Sequence, residues 1–320
     1  MKIATIGEIH EEGLKLIPKN KFDIIKITDT SPKALIKNLS DVEAIAIRTS
    51  NLSSDILSEC KNLKIVSRHG VGYDNVDINY LNKKNIPLAI TATSNAVSVA
   101  EHVLMMMLSL SRKLIKCNSL VKNNLFTEGE SISSTYELYK KNILILGFGR
   151  IGKVLQKICH GFDMNIYVYD PFISEKDINS YNCKKIEFME GIEIADYISI
   201  HMPLNHSTKN LITKKELEKM KNTCFIINTA RGGILNQKDL IWALDNKVIG
   251  GAGLDVFTDE PPKKADPILI SSNNLILTPH NSALTLECRI RMGIETIKNI
   301  ISFIEGKPIY SNIINREILT

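Results

Sequence analysis

Three polar side chains of the kinds that handle carboxylates and protons stand just past three short apolar runs. Arg231 follows residues 224–230 and precedes Gly232-Gly233; Glu260 follows residues 251–257 by a short acidic turn; His280 follows residues 274–279. Forked guanidinium donors suit a carboxylate and a C2 oxygen that must be polarised. An imidazole can deliver a proton to that oxygen or remove it, and a carboxylate bonded to the imidazole fixes its tautomer and favours its charged form. Arg231, Glu260 and His280 therefore form a candidate catalytic set for hydride transfer at C2 of a small 2-hydroxy or 2-oxo acid. On sequence alone each keeps a plain alternative: an Arg that caps or pairs beside Gly-Gly, a solvated carboxylate in the run Asp259-Glu260, a satisfied structural His.

Hydride transfer needs a carrier, and Gly147-Phe148-Gly149-Arg150-Ile151-Gly152 is a GxGxxG. It follows the apolar run Ile143-Leu144-Ile145-Leu146 and opens a helical pattern, and a second apolar run further on ends in Asp170. This context marks a dinucleotide site. Gly147 makes the tight turn, Gly149 lets the backbone approach the pyrophosphate, and Gly152 allows close helix–strand packing. The amides at Arg150 and Ile151, in the first turn of the helix, meet the phosphates. Asp170 is expected to accept from the adenosine ribose hydroxyls and to repel a 2′-phosphate, which favours NAD over NADP. His201, at a strand end before Met202-Pro203, and Thr229-Ala230, just ahead of Arg231, are further candidates to line the cofactor.

These residues need a scaffold that brings distant strand ends to one edge. Short, β-branched apolar runs alternate with helical patterns, as in doubly wound α/β proteins. Strands are expected at residues 2–6, 44–48, 63–67, 88–90, 142–146, 165–169, 197–201, 224–228, 251–256 and 274–277. Two long helices are expected at about 97–114 and 284–304; the first is apolar nearly all round, and its Met105-Met106-Met107 reads as core or subunit-interface filling. The expected architecture is α/β, with two doubly wound parallel-sheet domains. A Rossmann NAD-binding domain, 96–287, is inserted in a flavodoxin-like substrate-binding domain made of 1–95 plus 288–320.

Bulk properties narrow the alternatives. The chain has 320 residues, 44% of them hydrophobic and 23% charged, which suits two folded domains rather than disorder. The formal net charge of +5 comes from dispersed lysines with no aromatic interleaving, so no nucleic-acid partner is expected. Six cysteines are scattered without CxxC or zinc-like spacing, so no metal and no disulfide framework are expected. The chain opens directly on a strand-like run and its most apolar stretch is too short to span a bilayer. A cytoplasmic protein without a membrane partner is the expectation.

The sequence resembles the D-isomer-specific 2-hydroxyacid dehydrogenase family over essentially its whole length. The resemblance is carried by His69-Gly70-Val71-Gly72-Tyr73-Asp74-Asn75-Val76-Asp77, Asn95-Ala96-Val97-Ser98-Val99-Ala100-Glu101-His102 and the Gly147–Gly152 loop. It continues in Asn228-Thr229-Ala230-Arg231-Gly232-Gly233, Gly253-Leu254-Asp255-Val256-Phe257 and Thr278-Pro279-His280. It implies that Arg231, Glu260 and His280 are the family's catalytic residues and that Asp255 meets the nicotinamide carboxamide. It also implies that the amides of Val71 and Gly72 hold the substrate carboxylate, and that the protein is a homodimer joined through its cofactor domains. Arg48 and Arg68 resemble the phosphate-binding arginines of 3-phosphoglycerate dehydrogenases, which makes 3-phosphoglycerate the first substrate expectation. Residues 127–139 contain no Lys or Arg, and hydroxypyruvate or glyoxylate reduction is the second. An NAD(H)-sensing protein of the corepressor kind is the rival from another class.

Overall fold

The computed structural model describes every residue except Ser133, Ser134, Ser271, Ser272, Asn273 and Thr320, and the side chains of all but these, Glu130 and Ser131. The segment 127–139, considered above for its lack of basic residues, therefore lies partly outside the described residues, as does the last residue of the expected 288–320 segment. The chain divides into two units, Met1–Asn95 with Ala283–Thr320, and Ala96–Ser282. The second crossing thus falls at Ala283 rather than at residue 288. The physical reason is a helix cap: Thr285 Oγ1 accepts from the Cys288 N–H and starts the helix Leu286–Ile304, so the cap stays with its helix.

The first unit is one parallel sheet of five strands: β1 (Lys2–Ile6), β2 (Asp23–Ile27), β3 (Ala44–Ile47), β4 (Ile65–Arg68) and β5 (Leu88–Ile90). Their spatial order is β2-β1-β3-β4-β5, the flavodoxin-like winding. β3 and β5 are buried at every position, as strands covered on both faces should be. The edge strand β2, which was not among the expected strands, exposes Asp23 and Lys26 and buries only Ile27 fully, as suits an edge. The helix Leu286–Ile304 returns to this sheet with Cys288, Met292, Gly293, Ile297 and Ile300 buried. Polar bonds fix it there: Ser67 Oγ donates to Thr296 O at 2.9 Å, and Asn299 Nδ2 donates to Ile90 O at 3.0 Å.

The second unit has seven parallel strands: β6 (Asn142–Leu146), β7 (Asn165–Tyr169), β8 (Lys184–Lys185), β9 (Tyr197–Ile200), β10 (Phe225–Asn228), β11 (Gly251–Leu254) and β12 (Leu275–Leu277). The order is β12-β11-β10-β9-β6-β7-β8, the Rossmann winding with one added strand. β8 is only two lysines long and carried no apolar signal. The helix Ala96–Ser111 packs Val103, Met106, Met107 and Leu110 among Ile143, Ile145, Phe225 and Ile227. Met106 and Met107 are core filling, whereas Met105 is 44% exposed. Among the described residues no helix is long and apolar enough to cross a membrane.

Candidate active site

Parallel strands deliver their carboxyl ends to one edge, and in the second unit the spatial order decides what lies beside what. Reading along that edge, His280 follows β12, Asp255 and Glu260 follow β11, and Thr229 and Arg231 follow β10. His201 then follows β9, the glycine loop follows β6, and Asp170 follows β7. Residues separated by up to 133 positions, Gly147 to His280, thus line one edge whose strand-to-strand step is about 4.8 Å.

The glycine loop has the shape a dinucleotide requires. Gly147 has φ 94°, and a Cβ on it would lie 2.8 Å from the His201 carbonyl oxygen; on Gly152 it would lie 2.5 Å from the Gly147 carbonyl oxygen. Gly149, by contrast, caps the helix Arg150–His160 with open space where its Cβ would be. The first-turn amides at Arg150, Ile151 and Gly152 have no carbonyl partner inside the helix and face that space. Asp170 accepts from the Phe148 N–H (Oδ2, 2.8 Å) and the Phe172 N–H (Oδ1, 2.9 Å). It therefore pins the glycine loop, and each oxygen keeps a further lone pair for a ribose hydroxyl.

Nearer the β10 end, two buried polar atoms have no hydrogen-bond partner, His201 Nδ1 and Thr229 Oγ1. His201 is held from its other nitrogen, with Nε2 2.8 Å from Ser199 Oγ. Pro203 is exposed and Ala230 half-buried beside them. Unsatisfied polar atoms next to an open helix N-terminus are what a bound dinucleotide would complete, so these residues fit NAD.

Arg231 sits in a loop that Asn228 shapes: Asn228 Nδ2 donates to Arg231 O at 2.8 Å, and Oδ1 accepts from the Ala230 N–H at 3.0 Å. The following Gly232 lies so close to the β11 loop that a Cβ would fall 1.9 Å from the Phe257 carbonyl oxygen. The Arg231 loop is thereby seated on the loop that carries Glu260. Glu260 Oε1 accepts from the Phe257 N–H at 3.0 Å, and Oε2 lies 2.6 Å from His280 Nδ1. One carboxylate oxygen is thus tied to its own loop and the other orients the imidazole, leaving His280 Nε2 as the nitrogen that meets a reacting oxygen. Asp255, fully buried, accepts from the Thr278 hydroxyl and the Asn281 and Ser282 amides. Thr278 and Ser282 were not singled out from sequence for this contact, since their partner lies 23 and 27 residues away with no local pattern between.

In the first unit, Arg48, Arg68 and the loop of Val71 and Gly72 also stand at the carboxyl edge. Arg68 Nη1 donates to His69 O at 2.5 Å and lies where a Gly70 Cβ would be, within 1.4 Å. Its guanidinium therefore braces the His69–Gly70 backbone that leads into Val71 and Gly72. His69 is 4% exposed, and burial, with Arg48 next in effect, pushes its pKa down to about 4. Arg289 pairs with Glu8 at 2.5 Å, a cation at this edge that sequence reading had not singled out.

The family model described as D-isomer specific 2-hydroxyacid dehydrogenase, NAD binding domain, matches residues 104–282. A D-3-phosphoglycerate dehydrogenase of Archaeoglobus fulgidus is 32% identical over 310 residues, covering 97% of this chain but 58% of that protein. The chain thus spans a little over half the length of the phosphoglycerate dehydrogenases it matches. A glyoxylate reductase of Thermococcus litoralis is 31% identical over 327 residues, covering 100% of this chain and 98% of that protein. Among solved structures, a formate dehydrogenase of Staphylococcus aureus in complex with NAD is 30% identical, with a TM-score of 0.85 and coverage of 98% of this chain and 99% of that one.

Proposed function

The chain belongs to the D-isomer-specific 2-hydroxyacid dehydrogenase family, and on that premise we propose that it catalyses NAD-dependent hydride transfer at C2 of a small 2-hydroxy or 2-oxo acid. The observation that carries this reading is the 2.6 Å Glu260–His280 pair next to the Arg231 loop on adjacent strand ends. NAD, when bound, supplies or accepts the hydride. Arg231 holds the substrate carboxylate and polarises the C2 oxygen, and the amides of Val71 and Gly72 are assigned to the same carboxylate. His280, with Nδ1 on Glu260, gives a proton to the oxygen during reduction and removes it during oxidation. Gly147, Gly149, Arg150, Ile151 and Gly152 hold the pyrophosphate, and Asp170 the adenosine ribose. His201, Pro203, Thr229, Ala230 and Asp255 line the nicotinamide end.

Formate oxidation needs no proton moved at an oxygen, since carbon dioxide leaves with none. The Glu260–His280 pair therefore supports a hydroxy acid over formate despite the likeness to a formate dehydrogenase. Within the acids, 3-phosphoglycerate is the first reading, supported by Arg48 and by the likeness to phosphoglycerate dehydrogenases. Glyoxylate or hydroxypyruvate is the second, favoured by the full-length likeness to a glyoxylate reductase and by Arg68, which is turned onto its own loop. A cytoplasmic homodimer belongs to the same proposal. Leu114, Ile115, Val121 and Phe126 of the second unit are 56–77% exposed, an apolar surface suited to a second copy.

The test follows NADH absorbance with phosphohydroxypyruvate, hydroxypyruvate, glyoxylate, pyruvate and, in the oxidative direction with NAD, formate. Saturable turnover on a 2-oxo acid, abolished in His280→Ala, is the expected result. Preference for hydroxypyruvate over its phosphate ester rejects the first substrate reading. Tight NADH binding with no turnover on any acid points instead to an NAD(H)-sensing protein.

A further inference from the structure

His280 has a left-handed backbone, φ 51°, a conformation that a non-glycine residue holds only where its surroundings enforce it. The enforcing group is the Asp255 carboxylate. It takes the Thr278 hydroxyl at 2.6 Å on one side of His280 and the Asn281 and Ser282 amides at 2.9 Å on the other. A fifth member comes from far along the chain. His102, on the helix Ala96–Ser111, places Nε2 3.0 Å from Thr278 Oγ1 and 3.9 Å from Asp255 Oδ1.

The proton count in this chain of groups is determined. A hydroxyl has one proton, and a carboxylate only accepts. With the Thr278 proton directed to Asp255, the Thr278 oxygen must accept from His102, whose Nε2 therefore carries a hydrogen. The Nε2–H of His102 is thus the donor of this link, and burial, against the opposing pull of Asp255, lowers the pKa of the ring. Its side chain is only 13% exposed, and the core helix that bears it is anchored by Met106 and Met107, both fully buried.

We propose that His102 is a positioning residue for the reaction: through Thr278 and Asp255 it holds the loop that aims His280. The inference rests on the hydride-transfer reading of His280 above. His102 moves no proton to substrate; it links a rigid helix to a strained loop, so that the imidazole keeps one orientation. A displacement of about an ångström at such a group is enough to cost up to about 10²-fold in rate.

The experiment compares His102→Leu, which removes the donor, with His102→Gln, which keeps an N–H, and Thr278→Val with Thr278→Ser. Readouts are kcat, KM for NADH and for the 2-oxo acid, melting temperature, and ¹⁵N NMR of the histidine rings in the full chain. We expect His102→Leu and Thr278→Val to lower kcat by about tenfold or more with KM for NADH and melting temperature little changed. His102→Gln and Thr278→Ser should recover most of the rate, and wild-type His102 should show a protonated Nε2. Wild-type kcat in the Leu variant, a protonated Nδ1 in the wild type, or equal losses of rate and melting temperature in the Leu and Gln variants would each overturn the proposal. If the wild type turns over no acid, the dehydrogenase reading fails on its own. The His102 tautomer, and whether His280 ring signals shift in the Leu variant, then still decide whether His102 orders the loop.

Discussion

At the scale of single residues, the chemistry depends on what each polar atom has already given away. Glu260 spends one oxygen on the Phe257 amide and one on His280 Nδ1, so it cannot swing, and His280 presents a defined nitrogen. Replacing His280 or Arg231 by Ala should each lower turnover at least about 10²-fold, because general acid–base and oxyanion-polarising groups typically contribute that much or more. NADH affinity, followed by fluorescence titration, should change little in both; retained turnover in either variant removes that residue from its role. Asp170 holds the Phe148 amide of the glycine loop, and the proposed ribose contact would give it a second duty. Asp170→Ala should therefore weaken NADH binding and narrow the preference over NADPH together. An unchanged NADH to NADPH ratio of kcat/KM would show that the Asp170 charge does not set the preference.

At the scale of elements, the glycine loop is a packing problem. Gly152, in the first turn of the helix Arg150–His160, lies directly against the Gly147 carbonyl, with room for a hydrogen but not for a methyl group. Gly152→Ala must move either the helix start or the turn, at a cost of about 1–3 kcal/mol for overpacking. We expect a lower melting temperature and an NADH Kd raised by about tenfold, a factor equal to 1.4 kcal/mol. Calorimetric titration of the variant checks this, and wild-type affinity would mean that the turn adapts without loss.

At the scale of the whole molecule, the first unit contains a histidine kept neutral. Burial and the charges of Arg48, Arg68 and Arg289 set the His69 pKa to about 4, below the 6.5 of the unfolded chain. Between these values the unfolded chain binds more protons than the native one, so stability rises with pH across the window. Stability contributed by neutral His69 is thus present above about 6.5 and is lost as pH falls towards 4, by about 3 kcal/mol in all. Urea midpoints should fall over that range, and His69→Gln should flatten the dependence. An equally steep fall in the variant would place the linked proton elsewhere.

Much of this was readable from the chain itself. Ten runs such as Ile143-Leu144-Ile145-Leu146 announce parallel strands because a strand covered on both faces is mostly apolar. The glycine spacing with Asp170 announces the cofactor loop because only glycine fits a close backbone turn. Arg231, Glu260 and His280 were legible as strand-end residues of suitable chemistry. The tertiary structure alone decided that β10, β11 and β12 are neighbours, which makes three distant residues into one set. It also decided which oxygen of Glu260 meets His280, that Arg68 turns onto its own loop, and that His102 reaches Thr278 across 176 residues. Local sequence fixes backbone conformation and burial because those depend on neighbours along the chain. Hydrogen-bond partners far apart in sequence are set by the winding order of the sheet, which leaves no period or spacing to read.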